Sequence, residues 1–196
     1  MGVRCVSRPQ MMTIGWSMSE SNDCPWYAVG TFTDLRQGDM ILGCPLPDLD
    51  YGTLRDFVAD PKHTGNPGSQ ITVRIANVVV LTQSCDLVNG KCERVVVCSY
   101  GDTSAFPLNK EQRGRVASGQ NVALHMLEKC EHKDLAFSQQ IVDFRQTFSL
   151  PVDYLQAVAN ERGTRARLLP PYREHLAQRF SNYFMRIGLP GDLTAE

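Results

Sequence analysis

The order of apolar and turn-forming segments predicts a mainly β chain with helices, of the α+β class. The expected shape is a small, strongly bent antiparallel barrel closed by a C-terminal amphipathic helix. Three observations predict it. Short β-branched runs separated by Gly, Pro and Asn-Gly turns fill residues 31 to 148. Alternating strand–helix units are missing, which argues against a doubly wound parallel sheet. A single strong apolar stripe at helical spacing ends the chain.

Taken in order, residues 1–30 mix Met, Ser, Asn and Pro without periodicity and read as an N-terminal arm, with Trp16 and Trp26 available to pin it. The domain proper is expected over 31–196. Gln37-Gly38-Asp39 is a turn, and Met40-Ile41-Leu42-Gly43-Cys44 is a short strand. Residues 45–70 carry Pro45, Pro47, Pro61 and Pro67 with several glycines, so a long loop is expected, with local helix at 51–58. Ile71–Thr82 is rich in β-branched residues, and Arg94–Tyr100 is the next strand, with an Asn89-Gly90 turn between them. Lys110–Arg115 opens a helix after Pro107, and strands are expected over 122–127 and 141–148. Pro151-Val152-Asp153 starts a short helix that Gly163 ends. Pro170-Pro171 suits a helix start, because proline in the first turn sacrifices no intrahelical bond. Tyr172, Leu176, Phe180, Tyr183, Phe184 and Ile187 then share one stripe of a helix over 171–187. Leu176, Phe180 and Phe184 are expected to be buried.

Composition narrows the function classes. The 196 residues are 42 % hydrophobic and 21 % charged, as in ordinary globular proteins rather than disordered ones. No 18-residue apolar run is present, so no membrane partner is expected. Twenty Lys and Arg against 21 Asp and Glu give a net charge of −1, which provides no global field for nucleic acid. Seven cysteines (5, 24, 44, 85, 92, 98, 130), an odd count at wide spacing, and no secretory segment predict a cytoplasmic protein with every thiol reduced. Neither CxxC nor HxxxH occurs, so no metal and no small-molecule cofactor is expected. Cys92, Cys98, Cys130 and His132, with His125 nearby in sequence, are the residues a zinc ion would use.

Gln37-Gly38-Asp39-Met40-Ile41-Leu42, then Val78-Val79-Val80-Leu81-Thr82, then Val95-Val96-Val97-Cys98 resemble the PemK/MazF-like family of SH3-like barrels, over some sixty residues. Ile141-Val142-Asp143-Phe144-Arg145 resembles that family's late strand. Leu169–Leu176 and Met185–Pro190 are similar to the tails of uncharacterised bacterial proteins that carry the Thr-Gln-Ser-Cys-Asp segment. The resemblance implies an SH3-like barrel and a setting in bacterial stress response, phage defence or toxin–antitoxin-like modules. An active endoribonuclease of this family needs a cation at the scissile phosphate. The family's Arg-Pro falls here on Ala76 and Asn77; Arg74 lies two residues upstream on the same strand face, with Ser99, Thr103 or Ser104 as the hydroxyl partner.

Two further clusters bear on binding. Thr82-Gln83-Ser84-Cys85-Asp86 follows directly on a buried-looking strand. Its Cys85 lacks the cationic neighbours that activate a thiol, so a binding role is preferred to catalysis. The bland reading has Ser84 and Asp86 tying up backbone donors while Cys85 fills a small core site. Arg162, Arg165 and Arg167 form a basic run suited to an acidic protein partner or to phosphates. The leading expectation is a protein-binding accessory that has lost or altered catalysis, contacting its partner through Thr82–Asp86 and the arginines 162, 165 and 167. An RNA-cleaving enzyme using Arg74 with Ser99 or Thr103, and RNA as its partner, comes second. A zinc-stabilised nucleic-acid-binding domain comes third.

Overall fold

The computed structural model describes residues 24–49 and 71–185. The strands are β1 (Tyr27–Gly30), β2 (Asp39–Leu49), β3 (Ile71–Val80), β4 (Arg94–Asp102), β5 (Leu124–Leu127), β6 (Cys130–His132), β7 (Leu135–Phe137), β8 (Gln140–Pro151) and β9 (Arg165–Leu168). The helices are α1 (Ser84–Val88), α2 (Lys110–Ala117), α3 (Val152–Arg162) and α4 (Tyr172–Phe184). Seven strands form one sheet in the order β1-β9-β2-β3-β4-β8-β5, and β6-β7 form a separate hairpin. Every pairing is antiparallel.

The α+β, antiparallel expectation therefore holds, but β1 and β5 stand at opposite edges and the sheet is not closed. Two of its members fall outside the expected limits. Tyr27–Gly30 lies in the segment read as an arm, and Arg165–Leu168 in the run read as a basic surface. Each is only four residues long, too short for a periodicity of its own, and takes its strand character from pairing, β1 with β9 and β9 also with β2. The expected loop 45–70 begins as the second half of β2; its remainder, with the helix at 51–58, lies outside the described residues.

Alternation along β3 explains why its sequence is a continuous apolar run. Val78 and Val80 point to one face, with Ile41, Val95, Val97 and Leu150, under Leu155, Val158 and Ala159 of α3. Val79 points to the other, with Met40, Cys98, Val142, Phe144 and Leu168, under Leu176 of α4. A strand covered on both faces has no polar side to show. A smaller cluster of Val116, Leu124 and Ile141 seats α2 against β5 and β8.

The closing helix spans Tyr172–Phe184. Leu176 is fully buried, Phe180 is half-buried against Phe144 with ring centroids 5.6 Å apart, and Tyr172 stacks on Trp26 at 4.1 Å. Phe184 corrects the expectation: it is 56 % exposed and meets Phe180 and Tyr183 edge-on, with ring centroids 5.0 and 4.9 Å apart.

Cysteine pairing is the larger correction. Cys24 and Cys130 form a disulfide across 106 residues, with Cα atoms 4.8 Å apart. Tyr27 brings them together: its hydroxyl donates to the Glu128 carbonyl at 2.6 Å, and its ring meets Phe137 edge-on at 5.3 Å. Local spacing carries no trace of such a pairing. Cys44, Cys85, Cys92 and Cys98 are free thiols. Among the described residues no helix is long and apolar enough to cross a membrane.

Truncation of Leu176 to Ala is expected to cost about 2–5 kcal/mol, because its site is closed on all sides. Phe184→Ala is expected to cost less, about 1 kcal/mol, because only two edge-to-face ring contacts at a half-exposed position are lost. Urea unfolding of the two variants checks the contrast, and equal losses would contradict the packing described.

Candidate functional site

One polar assembly joins the Gln37-Gly38-Asp39 turn to the Thr82–Asp86 segment, although some 45 residues separate them. Gly38 has φ +85°, and its amide donates to the Val80 carbonyl at 2.8 Å. A side chain there is excluded twice, by that φ and by Leu168 Cβ, 2.8 Å from where a Cβ would lie. The buried Gln37 side chain donates to the Leu81 carbonyl at 2.8 Å, and its backbone amide donates to Ser84 Oγ at 3.1 Å. Thr82 Oγ1 accepts from the Val96 amide at 2.7 Å. The Thr82 and Ser84 hydroxyls therefore face inward and anchor the segment at both ends of Gln83.

Gln83 and Cys85 face solvent, with Asp86 partly so. Cys85 Sγ lies 3.5 Å from Gln83 Oε1 and 3.7 Å from Asp86 Oδ1. The expectation that Ser84 satisfies a backbone donor is met, whereas the idea that Cys85 fills a core site is not: its position on the first turn of α1 points away from the sheet. The histidines at 125, 132 and 175 sit on β5, β6 and α4, and none hydrogen-bonds Cys85. The two groups in contact with the thiol, Gln83 Oε1 and Asp86 Oδ1, are oxygens and not cations. Cys44 and Cys98 are inert because burial pushes their thiols up to about 11 and about 12.

Arg165 and Arg167 correct the surface reading of the basic run. Arg165 is 2 % exposed; its Nε donates to Asp39 Oδ2 at 3.1 Å and its Nη2 to the Phe32 and Asp34 carbonyls at 3.0 and 2.7 Å. Arg167 donates through Nε to Asp39 Oδ1 and through Nη2 to Asp39 Oδ2 at 2.9 Å, with its guanidinium 4.0 Å from the centre of the Phe32 ring. Burial opposes the charge on Arg167, but the hydrogen bond and charge of Asp39 outweigh it and hold the guanidinium above its ordinary value. These two arginines lock β9 to the start of β2 and are not available to a partner. Arg162 is exposed, and its Nη2 donates to the Gly43 carbonyl at 2.9 Å.

The nuclease set is not drawn into one site. Arg74 is exposed on β3, with its guanidinium 5.4 Å from the centre of the Phe148 ring. The β3–β4 ladder covers only Asn77–Val80, so the strands part before Arg74. Ser99 sits opposite Val78 with its Oγ buried and without a hydrogen bond. Thr103 lies in a short 3-10 turn capped by Asp102, its amide donating to the Gln139 carbonyl at 3.2 Å; Ser104 is exposed on the same turn. Among the described residues no hydrogen bond joins Arg74 to Ser99, Thr103 or Ser104. The zinc set is likewise dispersed, since Cys130 is bonded to Cys24 and Cys98 lies 3.2 Å from Thr147 Oγ1. No group of three or more His, Cys, Asp or Glu among the described residues is arranged to hold a metal ion.

His125 is a polar group that sequence reasoning did not single out beyond the zinc set. It is 4 % exposed, lies 5.2 Å edge-on from the exposed His175 ring, and leaves Nε2 without a hydrogen bond. Burial, then the charges of His175 and Arg179, push its pKa down to about 3. No protein-family model matches the chain, and no curated protein is significantly similar to it.

Two expectations follow from this geometry. Replacement of Asp39 by Asn leaves the buried Arg165 guanidinium without its carboxylate and Arg167 with only that of Asp34, 3.4 Å away, and should cost about 3–5 kcal/mol, read by thermal or urea unfolding. For His125, the unfolded chain takes up a proton near pH 6.5 while the folded one resists until about 3. Stability should therefore be complete above about pH 6.5 and fall by at most about 1.4 kcal/mol per pH unit below it. Urea unfolding at pH 7 and pH 5 should show this loss, and His125→Leu should remove that part of the slope.

Proposed function

We propose that this chain is a protein-binding accessory on a PemK/MazF-like framework, an SH3-like barrel left open between β1 and β5, and that it serves a bacterial stress or phage-defence module without cleaving RNA. The observation that carries the reading is the Thr82–Asp86 segment. Its two hydroxyls hold the backbone to β4 and to the Gln37 turn, while Gln83, Cys85 and Asp86 are presented outward. A loop fixed from below loses little conformational freedom when its outer side chains meet a partner. Arg165 and Arg167 take no part in that contact, because they are engaged with Asp39.

The missing nuclease geometry supports the same reading. Cleavage through the RNA 2′-hydroxyl requires a cation and a proton-handling group within contact distance of one phosphate. Arg74 instead rests on Phe148, and displacement of a catalytic group by even about 1 Å can cost roughly 100-fold in rate. The test has two arms. Purified protein incubated with mixed RNA should leave it intact. A Gln83→Arg/Asp86→Arg variant should lose the protein that co-purifies from the native host while keeping its unfolding temperature. Sequence-specific RNA cleavage that disappears in Arg74→Ala would overturn the proposal and install the nuclease.

A further inference from the structure

The β2–β3 ladder runs out to Leu49 opposite Ile71, well past the end of the β3–β4 ladder at Asn77. Residues 71–76 of β3 therefore have β2 on one side and, among the described residues, no strand on the other. The two long edges of this arm are finished differently. On the β2 side, Pro45 and Pro47 lack amide protons, the Tyr154 hydroxyl donates to the Pro45 carbonyl at 2.6 Å, and Arg162 donates to the Gly43 carbonyl at 2.9 Å. That edge is closed to another strand.

The prolines also set the polarity of the opposite edge. Proline occurs in a paired strand where its nitrogen faces away from the neighbour. Acceptance by the Pro45 carbonyl of a bond from Tyr154 on α3 agrees with that orientation. Pro45 and Pro47 thus form non-hydrogen-bonded pairs with Ile75 and Val73. In such pairs both residues turn their N–H and C=O outward. Val73 and Ile75 accordingly direct two donors and two acceptors into the lane that β4 leaves at Asn77. Their side chains are 63 % and 62 % exposed on one face of the arm. Arg74 is exposed on the other face, over Phe148, and no carboxylate among the described residues pairs with it.

We propose that the β3 edge at residues 72–76 is a strand-addition site for an extended segment of another protein, one that alternates apolar residues, against Val73 and Ile75, with acidic residues beside Arg74. Main-chain hydrogen bonds supply the affinity of such a contact, and the alternating side chains supply its selectivity. The proposal rests on the protein-binding reading but uses a surface distinct from Thr82–Asp86, so each can fail alone.

The test is an amide-resonance titration of the full chain with acetyl-(Val-Glu)4-amide. The resonances of 72–76 should move, and exchange at the Val73 and Ile75 amides should slow at least ten-fold at millimolar peptide. Acetyl-(Val-Lys)4-amide should have no such effect. Ile75→Pro, which removes an outward donor and leaves the β2 ladder intact, should abolish the response, as should Val73→Lys/Ile75→Lys with the edge donor retained. Shifts confined to 82–88 would overturn the proposal while leaving the reading of that segment standing. Protection of the Val73 and Ile75 amides in the free chain would overturn it too, by showing that the chain fills its own edge. Equal response to both peptides would overturn the acidic preference.

Discussion

A carboxylate with no exposed surface and two guanidinium groups around it hold the start and the end of the described fold together. Asp39 opens β2; Arg165 and Arg167 lie on β9, 126 and 128 residues later. Removing such charges from water costs several kcal/mol each, and attraction repays it only if the geometry satisfies the remaining hydrogen-bonding capacity. Here it does so in part: Arg165 also reaches the Phe32 and Asp34 carbonyls and Arg167 sits 4.0 Å from the centre of the Phe32 ring, while Arg165 Nη1 is buried without a hydrogen bond. The net contribution to stability is therefore modest, although loss of one partner would be costly. In the observed register Asp39 lies opposite Arg167, and Arg165, two residues away on the same strand face, reaches the same carboxylate.

Much of the rest is positioned by that lock. With β9 fixed, Leu168 closes over Gly38, and its amide donates to the Gly38 carbonyl at 3.0 Å. The Gly38 amide in turn reaches β3, so the turn ahead of β2 is held between two strands. Gln37 is then in place to hold Leu81 and Ser84. The presentation of Gln83 and Cys85 is thus a distant consequence of a buried ion pair. Beyond β9 the chain passes directly to α4, whose Leu176 covers the face of the sheet opposite α3.

The two candidate contact surfaces share one physical logic. In each, polar groups that would otherwise compete for water are fixed from inside, and a limited set is left facing out. For Thr82–Asp86 the inward groups are hydroxyls and the outward ones side chains. For the β3 edge the inward groups belong to the β2 ladder and the outward ones to the backbone. Rigid support of this kind lowers the entropy lost on binding. Among the free thiols, Cys85 is exposed on the first of these surfaces, while Cys44 is buried opposite Ala76 of the second.

Periodicity is a local property, and what depends on it alone was legible in the chain. The strands expected at 40–44, 71–82, 94–100, 122–127 and 141–148 and the helices after Pro107, Pro151 and Pro171, each overlapping an observed element, follow from spacing within a dozen residues. So does the inward turn of the Ser84 hydroxyl at a strand end. The tertiary structure decided everything that pairs residues distant in sequence. The Cys24–Cys130 bond, the engagement of Arg165 and Arg167 with Asp39, the separation of Arg74 from Ser99, and the open sheet all arise from contacts whose partners are set by strand order. Charge and cysteine content are the same whether such residues meet or stay apart. An arginine run reads alike on a surface or in a core, until a carboxylate more than a hundred residues away is brought against it.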